Sequence, residues 1–370
     1  MLAADRFEPA RFDSLPGWAE HAPLGAFEAF RRSAFHALYT PYRTGSLGIE
    51  FAAFGDAYAA ARQTPARSDD EARLFFERFF RPALVRPDTG KRYGHVTGFY
   101  EPNVGCSPRW HPEFQVPLLA KPHDLVPVNG LNRPAGMDAS FEWARQTPAG
   151  LVPFYDRAEI ENGALADRPD LPIAWLADPV EAFFIHVQGS ARLRLPEKRF
   201  KRLTYAAKSG HPFTGPGRVL LEMGELPPGG VTMQSIREWF KANPHRVREI
   251  LHKNRSYIFF REAVVEDESL GPVAAAKVPL TPGRSVAVDK HLHTFGTPFF
   301  ISAPLLYAFE RQPFSRLMIA QDTGSAILGA ARGDLFAGSG DIAGAVAGVV
   351  NHEAVFTALL PLSLWQKAGW

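Results

Sequence analysis

The chain has 370 residues, enough for one large or two ordinary domains, and its 46% hydrophobic and 22% charged content excludes a disordered chain. A formal net charge of +2 gives no basic field for nucleic acid, and the densest cationic cluster, Lys198-Arg199-Phe200-Lys201-Arg202, reads as a solvated turn or strand end. One cysteine, Cys106, excludes an internal disulfide and a cysteine-rich metal site, and no run of about 18 apolar residues is present to span a membrane.

The start, Met1-Leu2-Ala3-Ala4-Asp5-Arg6, lacks the charged and apolar regions of a secretion signal, which leaves a cytosolic protein or one that begins after a removed leader. Ala26 to Leu38 and Phe51 to Arg62 carry apolar residues at helical spacing. Ser68-Asp69-Asp70-Glu71 is a capping-box pattern that predicts a helix running through Leu84, with Leu74, Phe75 and Phe79 on one side. From about residue 93 proline and glycine become frequent, and Phe183 to Val187, Val219 to Glu222 and Ser256 to Arg261 read as short strands. Ser235 to Asn254 reads as two short helices divided by Asn243-Pro244. Val286 to Val288, Pro298 to Ser302 and Leu317 to Ala320 return to strands, and the glycine-rich stretch from Gly329 to Gly348 reads mostly as turns. Helices first and then many short strands predict a mainly β, α+β protein: a barrel or sandwich with attached helices.

Several motifs are excluded on spacing. His352-Glu353 lacks the second histidine of a zinc-protease helix, and Gly338-Ser339-Gly340 lacks the spacing of a nucleophile elbow. His291 and His293 alternate as on one strand face, but with no third ligand they read as surface histidines, so no metal and no cofactor is expected. Asp88-Thr89-Gly90 and Asp322-Thr323-Gly324 resemble the paired turns of aspartic proteases. Their flanks are not equivalent, whereas that chemistry needs two carboxyls sharing a proton in equivalent surroundings. Asp289, Asp322 and Asp334 remain, each at a strand end or glycine turn from which side chains converge. Aspartate before glycine is also a common turn former, so spacing alone leaves both readings open.

The landmarks Thr97-Gly98-Phe99-Tyr100-Glu101-Pro102, Val116-Pro117-Leu118-Leu119, Asp178-Pro179-Val180-Glu181-Ala182-Phe183-Phe184, Val187-Gln188-Gly189-Ser190 and Asn254-Arg255-Ser256-Tyr257 come in that order before the three aspartates. In number and order they resemble the MltA family of lytic transglycosylases from about residue 93 to residue 350. The resemblance implies a double-psi β-barrel formed by residues 1–108 and 250–370, a smaller inserted β domain over 109–249, and a groove separating them. It places the catalytic acid on Asp334, a supporting carboxylate on Asp322, and glycan contacts on Gln188, Gly189 and Ser190, with Tyr100, Glu101 and Asp289 as further substrate-binding candidates. Where the family pattern has glycine this chain has Ala191 and Ser325, and the methyl of Ala191 is expected to alter glycan contact.

The activity so implied is cleavage of the β-1,4 bond between N-acetylmuramic acid and N-acetylglucosamine in peptidoglycan. Ordinary glycosidases need two carboxyls; here one acid protonates the leaving oxygen and then takes the proton of the sugar's own C6 hydroxyl, which closes on C1. Rival readings are a hydrolytic glycosidase, with Glu101 as the second carboxylate, and a non-catalytic glycan-binding protein. The resemblance further implies a monomer acting on glycan strands in the periplasm, associated with the outer membrane and with complexes that build or degrade the wall.

Overall fold

The computed structural model describes residues 2–87, 93–196 and 199–370, so Asp88-Thr89-Gly90 and Lys198 lie outside the described residues. In chain order the strands are β1 (Phe7–Pro9), β2 (Phe80–Val85), β3 (Gly94–Glu101), β4 (Asn103–Gly105), β5 (Val116–Leu119), β6 (Leu125–Pro127), β7 (Trp143–Thr147), β8 (Gly150–Val152) and β9 (Pro172–Leu176). They continue with β10 (Ser190–Arg194), β11 (Phe200–Lys208), β12 (Ile258–Glu262), β13 (Ser285–Val288), β14 (Pro298–Ala303), β15 (Phe314–Asp322), β16 (Arg332–Ser339) and β17 (Asn351–Pro361). The helices are α1 (Leu24–His36), α2 (Gly55–Gln63), α3 (Asp69–Phe79), α4 (Arg157–Glu159), α5 (Pro179–Gln188), α6 (Pro216–Glu222), α7 (Met233–Ala242), α8 (Val247–Leu251), α9 (Asp341–Gly348) and α10 (Leu362–Lys367).

Two compact units result, Met1–Tyr100 with Val265–Trp370, and Glu101–Val264. The expected boundaries at 108/109 and 249/250 shift to 100/101 and 264/265. The reason is strand pairing: β4 joins β10 and β12 joins β11, which draws both flanks into the inserted unit.

In the first unit an eight-stranded sheet runs β1-β2-β17-β14-β15-β13-β16-β3, and β17 also pairs with β3. That last pairing closes the six strands from β17 to β3 into a ring, which removes open sheet edges. The long β17 makes this possible: Asn351–Ala354 pair with β3 and Thr357–Pro361 with β2, while its other side holds β14. Helices α1 and α3 cover the core, with Phe27, Phe30 and Phe76 fully buried. Each such ring removes enough apolar area from water to stabilise the fold by about 1.5–3 kcal/mol.

The Ser68 cap forms as its sequence predicts, its side chain accepting the Glu71 N–H, but α3 ends at Phe79 and Phe80–Val85 is strand β2. Its inner face is Ala72 and Phe76, flanked by half-buried Phe75 and Phe79, while Leu74 is exposed. At about 100° per residue Leu74 cannot share a face with Phe76. The glycine-rich stretch is also no run of turns, because it contains β16 and α9. Gly333 sits inside a strand where a Cβ would lie 3.0 Å from Phe356 and Val286, so its glycine reflects close packing rather than chain reversal.

The second unit holds the four-stranded sheet β12-β11-β10-β4, the pair β5-β9 and the sheet β6-β7-β8, together with α4 to α8. The strands expected at Phe183–Val187 and Val219–Glu222 are helices instead. Asp178 caps α5 by accepting the Val180 N–H, Pro179 opens it, and Gly189 closes it in the left-handed region at φ 73°. Those caps decide what a short apolar run leaves ambiguous. Asn243-Pro244 does divide α7 from α8, with a single 3-10 turn between them.

Candidate active site

Strand β13 lies between β15, to which it is parallel, and β16, to which it is antiparallel. Its Ala287 is registered with Asp322, the last residue of β15, and with Asp334, inside β16. Residues in register on neighbouring strands project to the same face, so both carboxyls stand on one face of the ring, roughly 10 Å apart at Cα by two strand spacings. A register shift between Val286 and Ala287 is what brings Asp322 level with Ala287. Asp334 is therefore a strand residue, not the turn residue expected from the glycine before it.

Asp334 Oδ1 accepts the Thr97 hydroxyl at 2.5 Å, and Thr97 Oγ1 accepts Arg332 Nη2 at 2.7 Å. Arg332 also donates through Nη1 to the Gly333 carbonyl. Asp322 Oδ1 accepts the Ala275 N–H at 3.2 Å. Ala275 belongs to a hairpin tip in which the Lys277 N–H bonds the Ala274 carbonyl and Lys277 itself adopts φ 62°. Both aspartates are half-buried as residues, and protein atoms surround their carboxyls closely.

Burial raises the Asp334 carboxyl above the ordinary aspartate range, and the Thr97 hydrogen bond and Arg332 pull it partly back. Burial likewise raises Asp322, to about 6; the N–H groups of Thr323 and Ala275 and the Lys277 ammonium oppose this, and Asp334 adds to it. Two carboxyls on one face, each biased toward holding a proton, are suited to general acid chemistry.

The raised Asp322 has a consequence for stability. Between about pH 4 and 6 the native state holds a proton that the unfolded chain has lost, so stability falls as pH rises through that window. Asp322→Asn keeps the acceptor for Ala275 and cannot ionise. It is expected to unfold at higher denaturant than the wild type at pH 7.5, by on the order of 2 kcal/mol, and to lose that advantage near pH 4. Urea unfolding at the two pH values measures this; equal stability at pH 7.5 would contradict it.

The other sequence candidates fall differently. Asp289 is buried just after β13, its two oxygens accepting the N–H groups of His291 and Gly329, which makes it the organiser of that loop. Phe99 packs on Phe336 with ring centroids 5.2 Å apart, and Tyr100 is buried against Gly344, so neither ring lies open to a sugar. Glu101 is not at an open turn: it ends β3 with no exposed area, and Arg202 Nε donates to both its oxygens at 2.8 and 3.1 Å. Arg202, expected in a solvated cluster, is thereby also buried.

In the second unit Gln188 ends α5, Gly189 caps it, and Ser190, 4% exposed, opens β10. Ala191 points its methyl into the core beside Leu193 and Leu203, because its strand alternates inward and outward. His293 is no surface residue; it is buried, bonded through Nε2 to the Ala330 carbonyl, and burial lowers it to about 4. Among the described residues no group of three or more His, Cys, Asp or Glu is placed to hold a metal.

Thr97, Arg332, Ala275 and Lys277 are site residues that motif reading left without a role. The spacing of Arg332 and Asp334 by two was a usable signal, since in a strand it puts both on one face. Reading the segment as turns concealed it.

Comparison with known proteins places these units. The chain matches the family model of the MltA specific insert domain over residues 95–261 and that of the 3D domain over residues 284–360. A curated relative, membrane-bound lytic murein transglycosylase A of Escherichia coli (strain K12), is 33% identical over 268 residues, covering 70% of this chain and 64% of the relative. The chain thus spans under two thirds of that relative's length. The crystal structure of a membrane-bound lytic murein transglycosylase from Agrobacterium tumefaciens superposes with a TM-score of 0.91 at 44% identity, over 98% of this chain and 99% of that one. The E. coli MltA structure with bound chitohexaose superposes at 0.64 with 25% identity, over 95% and 90% of the two chains.

Proposed function

Since the chain belongs to the MltA family, we propose that it is a lytic transglycosylase that cleaves the bond between N-acetylmuramic acid and N-acetylglucosamine in peptidoglycan, with Asp334 as its acid. The observation that carries this reading is the Asp334 carboxyl itself, raised by burial on a half-buried strand residue, with Asp322 on the same face. We read the closed ring of six strands as a double-psi β-barrel.

Asp334 donates its proton to the glycosidic oxygen as the bond from that oxygen to C1 breaks, and the positive charge that develops at C1 lies near the carboxylate left behind. The carboxylate then accepts the C6 hydroxyl proton, O6 bonds to C1, and the 1,6-anhydro end leaves with the acid restored. Holding nucleophile and electrophile in one sugar supplies the proximity that a bound water would otherwise need. Asp322 is assigned the supporting role because it stands on the same face, close enough for the Asp334 charge to raise its own proton affinity.

Gln188, Gly189 and Ser190 are proposed to meet the glycan from the inserted unit. Gly189 supports this, because a Cβ there would touch nothing nearer than Tyr205 Cβ at 4.0 Å, leaving open backbone at the helix end. The membrane-bound relatives support a place in the cell envelope, periplasmic and associated with the outer membrane; among the described residues no helix is long and apolar enough to cross a membrane. Burial of Glu101 against Arg202 weighs against the hydrolytic alternative in which Glu101 is the second carboxylate. Mass spectrometry of digested sacculi tests the proposal: anhydro-muropeptides are expected, and reducing ends or no release would overturn it.

A further inference from the structure

Arg332 and Asp334 are two apart on β16, so strand alternation puts both side chains on one face, and Thr97 of the neighbouring β3 stands between them. A hydroxyl has one proton to give. Arg332 Nη2 donates to Thr97 Oγ1 at 2.7 Å, and the threonine's own proton goes to Asp334 Oδ1 at 2.5 Å. The guanidinium is itself fixed by its bond to the Gly333 carbonyl, on its own strand. We propose that Arg332 is a positioning residue: acting through Thr97, it commits Asp334 Oδ1 to accepting a hydrogen bond, so the proton delivered to the glycosidic oxygen is held on Oδ2.

An arginine cannot lose its proton at any working pH, so Arg332 always donates to Thr97, and the geometry turns the threonine's one proton toward Asp334 Oδ1. Without it the carboxyl could carry its proton on either oxygen, and a fraction of encounters would present the wrong one. The charged groups facing this carboxyl are Arg332 on its own strand, Asp322 on β15, and Lys277 beside Asp322. Arg332 favours the ionised form of Asp334, so its removal raises the pH at which activity is lost. The inference rests on Asp334 being the acid.

Thr97→Val and Arg332→Met are expected to lower kcat by about 10–100-fold with little change in KM, and to move the alkaline limb of the pH–rate profile upward. Thr97→Ser, which keeps the hydroxyl, and Arg332→Gln, which keeps a donor, are expected to recover most of kcat. Anhydro-muropeptide release from soluble glycan strands supplies the rates, and urea unfolding reports the fold. Loss of stability with an unmoved limb and no recovery in the conservative variants would make the role merely structural and overturn the proposal. So would unchanged kinetics in Arg332→Met. Activity surviving in Asp334→Asn would instead overturn the reading beneath it, which keeps the two failures apart.

Discussion

Asp334→Asn folds as the wild type does and loses the release of anhydro-muropeptides by about 10²–10⁴-fold, the range a positioned general acid contributes. The substitution is nearly isosteric. An asparagine Oδ1 accepts the Thr97 hydroxyl as the carboxylate does, so the Arg332–Thr97 arrangement survives. What disappears is a transferable proton, since an amide N–H is no acid near neutral pH. The amide also removes a carboxyl whose ionisation burial disfavours, so unfolding is expected at no lower denaturant. In the wild type the protonated form is the active one in the first step, and rates fall as pH rises through the elevated Asp334 value. Rates within tenfold of wild type in the variant, measured by mass spectrometry of digested sacculi, would remove Asp334 from the role.

The second large effect is on stability. Glu101→Gln removes the charge of the carboxylate that accepts both hydrogen bonds from Arg202 Nε, in a site with almost no solvent. Breaking a buried ion pair from one side typically costs about 3–5 kcal/mol, because water does not replace the lost counter-charge. Urea unfolding is expected to shift by that amount, while Glu101→Gln with Arg202→Met recovers much of it. The same variants decide between two roles for Glu101. A sugar-binding glutamate would raise KM and leave unfolding unchanged, the opposite of what a fully buried ion pair requires.

The aspartates are visible in the sequence at strand ends and glycine turns from which side chains converge, but the register that relates them is not. Asp322 and Asp334 are brought level by Ala287, a residue with no chemical signature, on a strand that runs parallel to one neighbour and antiparallel to the other. Pairing between segments this far apart depends on the whole ring closing through β17 and β3, which no local window contains. Glu101 was misjudged for a related reason: its partner Arg202 lies far along the chain, inside a cationic run that looks solvated when read alone. For α5 the opposite holds. Asp178-Pro179 before it and Gly189 after it are sufficient helix signals, and such caps outrank a short apolar run between them.

By itself the sequence determined the order of landmarks, the α3 cap and the break at Asn243-Pro244, because each depends on residue type or on neighbours a few positions away, whereas Asp334 as candidate acid follows from the resemblance those landmarks carry. Tertiary structure alone decided that Thr97 and Arg332 stand beside that acid, that Asp322 shares its face, and that Glu101 and Asp289 are used internally. Strand register and burial set proton affinity, and both are properties of packed, distant segments rather than of any residue taken alone.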